Sequence, residues 1–206
     1  DVDEVYHLAG IKGSPRMTQQ KPADFLVPML QMNTNILEAA RIYDVKKFLY
    51  TSSIAVLYPE TDYFPALAKK VGEEQIAAYK KQYGLKNFFI VRPANVYGNG
   101  DNFNKEDPMV VTSLINKARN GENPLQVWGD GTQQRDFIHA RDVAGAMVLV
   151  MEKEPQEPIN IGYGKMHSIK QLAEIIANNF KGLKIKYDKT KPIGQQSKPI
   201  DITKLK

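Results

Sequence analysis

Lys47-Phe48-Leu49-Tyr50-Thr51-Ser52-Ser53 is the stretch on which the fold turns. Its short aromatic and apolar run reads as a buried strand, Lys47 to Ser52. Upstream, Ala23 to Tyr43 has apolar Met29, Met32, Ile36 and Ala40 at i, i+3, i+7 and i+11, the spacing of an amphipathic helix. Before it, Val5-Tyr6-His7-Leu8-Ala9 reads as a second buried strand, ending in Gly10. Downstream, Ala66 to Tyr83 reads as a helix with Pro65 in its first turn and Gly84 as its stop, followed by the strand Phe88-Phe89-Ile90-Val91-Arg92. Strands alternating with helices of this length predict an α/β fold, a parallel sheet covered by helices on both faces. Ligands of such sheets sit beyond the carboxyl ends of the strands. Three loops there call for chemistry: Gly10-Ile11-Lys12-Gly13, Thr51-Ser52-Ser53, and Pro93-Ala94-Asn95-Val96-Tyr97-Gly98.

Beyond Gly98 the elements are shorter and more widely spaced. Val110 to Ala118 reads as a helix, Leu125-Gln126-Val127-Trp128 as a strand, and Gly129-Asp130-Gly131 as a tight turn. Phe137-Ile138-His139 leads into a helix from Ala140 to Glu152. Ile159-Asn160-Ile161-Gly162 reads as a strand, and Ser168 caps a helix from Ile169 to Phe180. This half reads as a smaller lobe, 99–206, woven into the larger part, 1–98, which also receives strands from later in the chain.

Composition removes whole classes of function. The 206 residues contain no Cys, which excludes a disulfide scaffold, a thiolate metal site and a cysteine nucleophile, and fits a reducing compartment. With three His and no suitable spacing, no metal site is expected. No apolar run is long enough to span a bilayer, and the first residues are acidic where a secretory leader would be basic, so a cytoplasmic protein without membrane contact is expected. The net charge of +5 comes from 28 basic and 23 acidic residues, and the lysines near the C-terminus lack the interleaved aromatics of a nucleic-acid surface. No nucleic-acid partner is expected, whereas a diphosphate remains open.

His7-Leu8-Ala9-Gly10, Asn35-Ile36-Leu37-Glu38-Ala39-Ala40-Arg41, Thr51-Ser52-Ser53, Arg92-Pro93-Ala94-Asn95-Val96-Tyr97-Gly98 and Gly129 to His139 resemble, in order, the segments of the extended short-chain dehydrogenase/reductase family of nucleotide-sugar epimerases, dehydratases and reductases. Within that family Tyr97 to Asn104, Val127-Trp128-Gly129, Arg135 to His139 and Lys191-Pro192-Ile193-Gly194 are most similar to the GDP-L-fucose synthase group. The resemblance implies a Rossmann-like doubly wound sheet, lacking its N-terminal part here, with a smaller interwoven substrate lobe. It implies NADP or NAD as cofactor, a nucleotide sugar with a GDP-sugar favoured, hydride transfer at sugar C4, and a homodimer formed by the helices Ala23 to Tyr43 and Ala66 to Tyr83. The glycine-rich turn that would cradle a dinucleotide pyrophosphate is not found in the sequence.

The resemblance also assigns roles. Ser53 orients the sugar oxygen and Lys69 grips the nicotinamide ribose, with Leu8, Ala9, Gly10, Thr51, Pro93 and Val96 around the cofactor. Asn95, Lys117, Trp128, Arg135 and Lys191 fall on the nucleotide-sugar side, where the planar fork of Arg135 suits a diphosphate. The family's tyrosine, four residues before the lysine, is replaced by Pro65, so the proton relay is unassigned; Tyr63, six residues before Lys69, is the nearest candidate. Pro65 comes only 12 positions after Ser53, a shorter spacing than the family has there. Ala55 and Met109 stand where the fucose-synthase group places the Cys and His of its epimerising acid/base pair, and the sequence between Ser53 and Ala55 lacks the acidic residues of the dehydratases. What remains is a C4 reductase or epimerase, or a silent nucleotide-sugar-binding homologue; Ser52-Ser53-Ile54-Ala55-Val56 also resembles the threonine dehydrogenase branch. Each residue has a structural alternative: Thr51-Ser52-Ser53 as a strand end, Trp128 as core, His7 and His139 as packed and hydrogen-bonded, Arg135-Asp136 as an ion pair.

Overall fold

A computed structural model describes residues 2–12, 15–60, 63–101, 103, 108–191 and 196–205, with the side chains of Pro15 and Arg16 left aside. Gly13, Asn102, Asn104 and Pro192-Ile193-Gly194 of the motifs above lie outside the described residues.

The central sheet has the order β1 (Glu4–His7), β2 (Lys47–Thr51), β3 (Phe88–Pro93) and β7 (Ile159–Ile161), all parallel. The alternating side chains of β2 and β3 divide between two cores. Leu49, Phe89 and Val91 pack with Val143, Met147 and Val150 of α5 (Ala140–Lys153). Phe48, Tyr50, Phe88 and Ile90 pack with Leu37 and Ala40 of α2 (Pro22–Ile42) and Ile76 of α3 (Tyr63–Tyr83). Helices therefore cover both faces, as a continuous apolar run in a parallel strand requires.

A second sheet begins where the first ends. One residue after β3 the chain pairs again as β4 (Asn95–Tyr97), parallel to β6 (Gln134–His139), which is antiparallel to β8 (Met166–Ser168). The loop read at Pro93 to Gly98 thus contains a strand that steps from one sheet to the next. Two more strands, β5 (Leu125–Trp128) and β9 (Ile185–Asp188), pair in parallel over a third core with α4 (Val110–Arg119) and α6 (Ile169–Ala177). β8 and β9 were not legible in the sequence: three and four residues with polar members carry too little pattern.

Other differences have simple causes. A short helix, α1 (Pro15–Gln20), precedes α2. The buried line of α2 is Phe25, Met29, Asn33, Leu37 and Ala40, with Met32 and Ile36 only half-buried, because a buried asparagine interrupts the apolar reading. α3 starts at Tyr63, three residues before Ala66, since Pro65 in the first turn needs no amide partner. Gly131 has φ of +78°, and a Cβ there would lie 2.7 Å from the Tyr187 ring, so the turn between β5 and β6 needs glycine. The capping box expected at Ser168 is present, with Gln171 reciprocating.

Candidate active site

The carboxyl ends of β1, β2 and β3 face the same way, and the first two of the three loops begin there. Beneath them lies a continuous polar scaffold built from α2 and α3. Asn33 is buried in α2: its amide donates to the Tyr50 hydroxyl (3.0 Å) and to the Ala68 carbonyl (3.4 Å), and its Oδ1 pairs with His7 Nε2 (2.8 Å). The Tyr50 hydroxyl in turn donates to the Lys69 carbonyl (3.2 Å). Burial and the nearby Glu73 push the Tyr50 hydroxyl above its ordinary range, and burial depresses His7. Tyr50 passes so close to α3 that a Cβ on Gly72 would lie 2.3 Å from its hydroxyl.

Lys69 stands on this scaffold. Its ammonium donates to the Thr51 carbonyl (2.6 Å) and lies 5.3 Å from the Tyr50 ring centroid. Burial, followed by the charge of Lys12, lowers it to about 8. One helical turn later on the same face, Glu73 is buried and receives Ser52 Oγ (2.6 Å) and two arms of Arg92 (2.8 and 2.6 Å). Lys70 approaches the same carboxylate at 3.8 Å. The bidentate pair raises Arg92 above its ordinary value. Glu73 therefore ties the end of β2, which leads to Ser53, to the end of β3, which leads to Asn95. The sequence reading passed over this brace; its one signal was Arg92 within the Arg-Pro motif.

Ser53 caps a 3₁₀ turn, Ile54–Leu57, by accepting from the Ala55 amide (3.1 Å). The strand-end role foreseen for the triplet is real, yet the Ser53 hydroxyl proton is not used in that bond. Ser53 borders a cleft of about 160 Å³ together with Ala55, Asn95, Val96 and Met109. Lys12, Asp101 and Lys198 are the ionisable side chains in its described lining. The structure thus brings Ser53, Asn95 and Val96 together, and with them Ala55 and Met109. Asn95 also braces the wall by donating to the Asp136 carbonyl (3.1 Å).

Of the residues expected around a cofactor, Leu8, Ala9 and Gly10 are exposed immediately after β1, and a Cβ on Gly10 would stand 3.6 Å from Lys69 Nζ. Thr51 Oγ1 is buried with no hydrogen-bond partner, and Pro93 closes β3. Tyr63, by contrast, lies outside the cleft, largely exposed and edge-on to Phe64. Six residues place it about 240° around the helix from Lys69, and the position one turn before the lysine is Pro65.

The remaining residues expected on the substrate side are not in the lining of this cleft. Trp128 is on the outer face of β5 and exposed, so it is not core. Lys117 donates to the Gln126 carbonyl (2.9 Å) on that same face, and the Lys191 amide bonds to the carbonyl of Asp188, the register partner of Trp128. These three form one neighbourhood. Arg135 is half-buried on β6, with Nη1 donating to the Gln134 carbonyl (2.7 Å). The Asp136 carboxylate receives the amides of Tyr163 (2.8 Å) and Gly164 (2.7 Å), anchoring the loop after β7. His139 caps α5 through Nδ1. Among the described residues no cluster could hold a metal ion, and no helix is long and apolar enough to cross a membrane.

Comparison with known proteins matches residues 1–162 to the model of the NAD dependent epimerase/dehydratase family. The chain is 32% identical to the GDP-L-fucose synthase of Escherichia coli (strain K12), an alignment that takes in 99% of this chain and 73% of that protein. That alignment runs over 239 residues, more than the 206 of this chain, so the relative carries internal residues without a counterpart here. Among solved structures, a UDP-N-acetylglucosamine 4-epimerase from Methanobrevibacter ruminantium M1, in complex with UDP-N-acetylmuramic acid, superimposes with a TM-score of 0.87 at 27% identity, over 98% of this chain and 69% of that one. A GDP-L-fucose synthetase from Naegleria fowleri bound to NADP gives a TM-score of 0.84, also at 27% identity and with the same coverage.

Proposed function

The chain belongs to the NAD dependent epimerase/dehydratase family, and from that membership we propose that it acts on a nucleotide sugar, a GDP-sugar by preference, by NADP- or NAD-dependent hydride transfer at sugar C4. The observation that carries this reading is the hydrogen bond from the half-buried Lys69 ammonium to the carbonyl of Thr51, two residues before the Ser53 that borders the cleft. Residues 1–98 supply the cofactor side and 99–206 most of the nucleotide-sugar side.

The residues present fit the nicotinamide end of such a cofactor. Lys69 has three N–H donors and one is engaged with Thr51, leaving two for the hydroxyls of a ribose. A side chain at position 10 would cover that amine, and glycine leaves it open. The cofactor, when bound, supplies or accepts the hydride. Leu8, Ala9, Gly10 and Thr51 would flank it, with Pro93 and Val96 beside the carboxamide.

On the sugar side, the Ser53 hydroxyl donates to the C4 oxygen while its lone pair stays with the Ala55 amide. Asn95 closes the cleft wall; Arg135 takes the diphosphate, and Trp128, Lys117 and Lys191 the nucleotide end. Ala55 and Met109 both border the cleft and neither exchanges a proton, so the reaction ends at C4, without inversion at C3 or C5. Tyr63 is too far around α3 to take the tyrosine's part.

Pro65 in the tyrosine slot favours a second reading, a homologue that binds nucleotide sugars without turning them over. One experiment separates the two. GDP-, dTDP- and UDP-linked 4-keto sugars are offered with NADPH or NADH, following cofactor oxidation and, by calorimetry, binding. Turnover supports the reductase or epimerase, binding alone supports the silent homologue, and neither contradicts both.

A further inference from the structure

The cleft has a serine to orient the sugar oxygen and lacks the tyrosine that would exchange its proton. Reduction at C4 breaks the carbonyl double bond, adds hydride to carbon and leaves an oxyanion that must be protonated. Among the described lining residues the groups that carry an exchangeable acidic proton or a carboxylate are Lys12, Asp101 and Lys198. Asp101 accepts a hydrogen bond from the Thr112 hydroxyl, and Lys198 is buried in the wall. Lys12 differs from both: it borders the cleft beside Ser53, it is exposed, and its charge is felt by Lys69. It follows β1 two residues after Gly10, whose Cα faces the Lys69 amine. Lys12 is therefore a solvent-exposed cation on the rim of the cleft that Ser53 also borders.

We propose that Lys12 is the proton-transfer residue of this site, in the place the family gives to a tyrosine. In the reducing direction hydride from a reduced nicotinamide adds to C4, the C4 oxygen takes a proton from the Lys12 ammonium, and neutral Lys12 is reprotonated from water. In the oxidising direction neutral Lys12 removes the hydroxyl proton as hydride leaves C4. An ammonium is a far stronger acid than a sugar alcohol, so the transfer to the oxyanion is downhill. The inference rests on the nucleotide-sugar reading above.

Its test has two parts, the first independent of turnover. In the protein without ligands, Lys12→Met removes the repulsion on Lys69, and isotope-edited NMR of reductively methylated lysines should show Lys69 titrating at higher pH than in the wild type. The other charged groups near the cleft, Asp101 and Lys198, are the same in both proteins. An unchanged Lys69 titration would overturn the placement of Lys12. In the second part, initial rates are measured with GDP-, dTDP- and UDP-linked 4-keto sugars and NADPH. Lys12→Met should lose about 100-fold in kcat with little change in KM, the scale of general acid catalysis. Lys12→Arg keeps the charge but holds its proton, so it should remain impaired. Full activity in Lys12→Arg would assign Lys12 an electrostatic role and overturn the proton transfer. Wild-type turnover with an unimpaired Lys12→Met sinks this inference alone. A wild type that binds a sugar nucleotide yet never turns it over contradicts both this inference and the hydride-transfer reading.

Discussion

The wall of the site built from β2, β3 and α3 is closed and internally paired, whereas the face around Trp128 on β5 is open. On the first, Asn33, Tyr50, Lys69, Ser52, Glu73 and Arg92 are joined by hydrogen bonds of 2.6 to 3.4 Å in largely buried surroundings. On the second, Lys191 is exposed, Trp128 and Lys117 are partly exposed, and they are held by backbone carbonyls or strand register. Hydride transfer tolerates little misplacement of the reacting atoms, so the groups aligning it need a rigid support. A nucleotide held by its base and diphosphate can be gripped by exposed, adjustable side chains. The contrast teaches where this chain fixes geometry and where it leaves it free.

The sharpest way to break the comparison is at Glu73. Glu73→Ala leaves the Arg92 guanidinium buried and unpaired, and a loss of about 3–5 kcal/mol in denaturant unfolding is expected. A loss below about 1 kcal/mol would mean that the wall is not held by this brace.

The same contrast explains what could be read from sequence. The alternation of strands and helices around Lys47 to Ser52 was legible because apolar side chains with period 2 and 3.6 are a local signal. The positions of Ser53, Asn95 and Val96 at one cleft followed from strand ends in a parallel sheet. The brace was not legible, because a glutamate on a predicted amphipathic helix reads as a solvated residue until the fold brings Ser52 and Arg92 to it. Asn33 hid for the same reason, and β4 hid because three residues after a proline and an alanine look like loop. Nor could spacing alone show that Ala55 and Met109, far apart in the chain, border one cleft.

Gly72 offers the next test. Gly72→Ala forces a Cβ against the buried Tyr50 ring, and about 3 kcal/mol of destabilisation is expected from overpacking, read as a lowered thermal midpoint. Full stability would show that α3 can move away from the sheet without cost, contrary to a rigid support.

A pH experiment probes Lys69. Its pKa is about 8 in the folded protein, below the ordinary lysine value kept in the unfolded chain, so between the two the unfolded chain binds more protons. Stability from this group is therefore diminished below about pH 8 and recovers as pH rises from there towards 10, by on the order of 2 kcal/mol. Lys69→Met should remove that rise, leaving a flatter profile than the wild type. Above pH 10 Tyr50, whose hydroxyl is pushed up, works in the opposite sense.

The smallest effect belongs to the open face. Trp128→Ala should lower stability by only about 1 kcal/mol, since its ring is partly exposed, while weakening GDP-sugar binding in calorimetry. A large loss of stability would make Trp128 a structural residue and erase the contrast.

The proposed reaction of this cleft is hydride transfer at C4 with nothing at C3 or C5. It is tested most directly by incubating the protein with NADPH and a GDP-linked 4-keto-6-deoxyhexose in deuterium oxide, then recording the mass and proton spectrum of the product. Oxidised cofactor is expected in step with a C4-reduced sugar that carries no deuterium on carbon. Deuterium at C3 or C5, or no cofactor oxidation with the sugar bound, would contradict it.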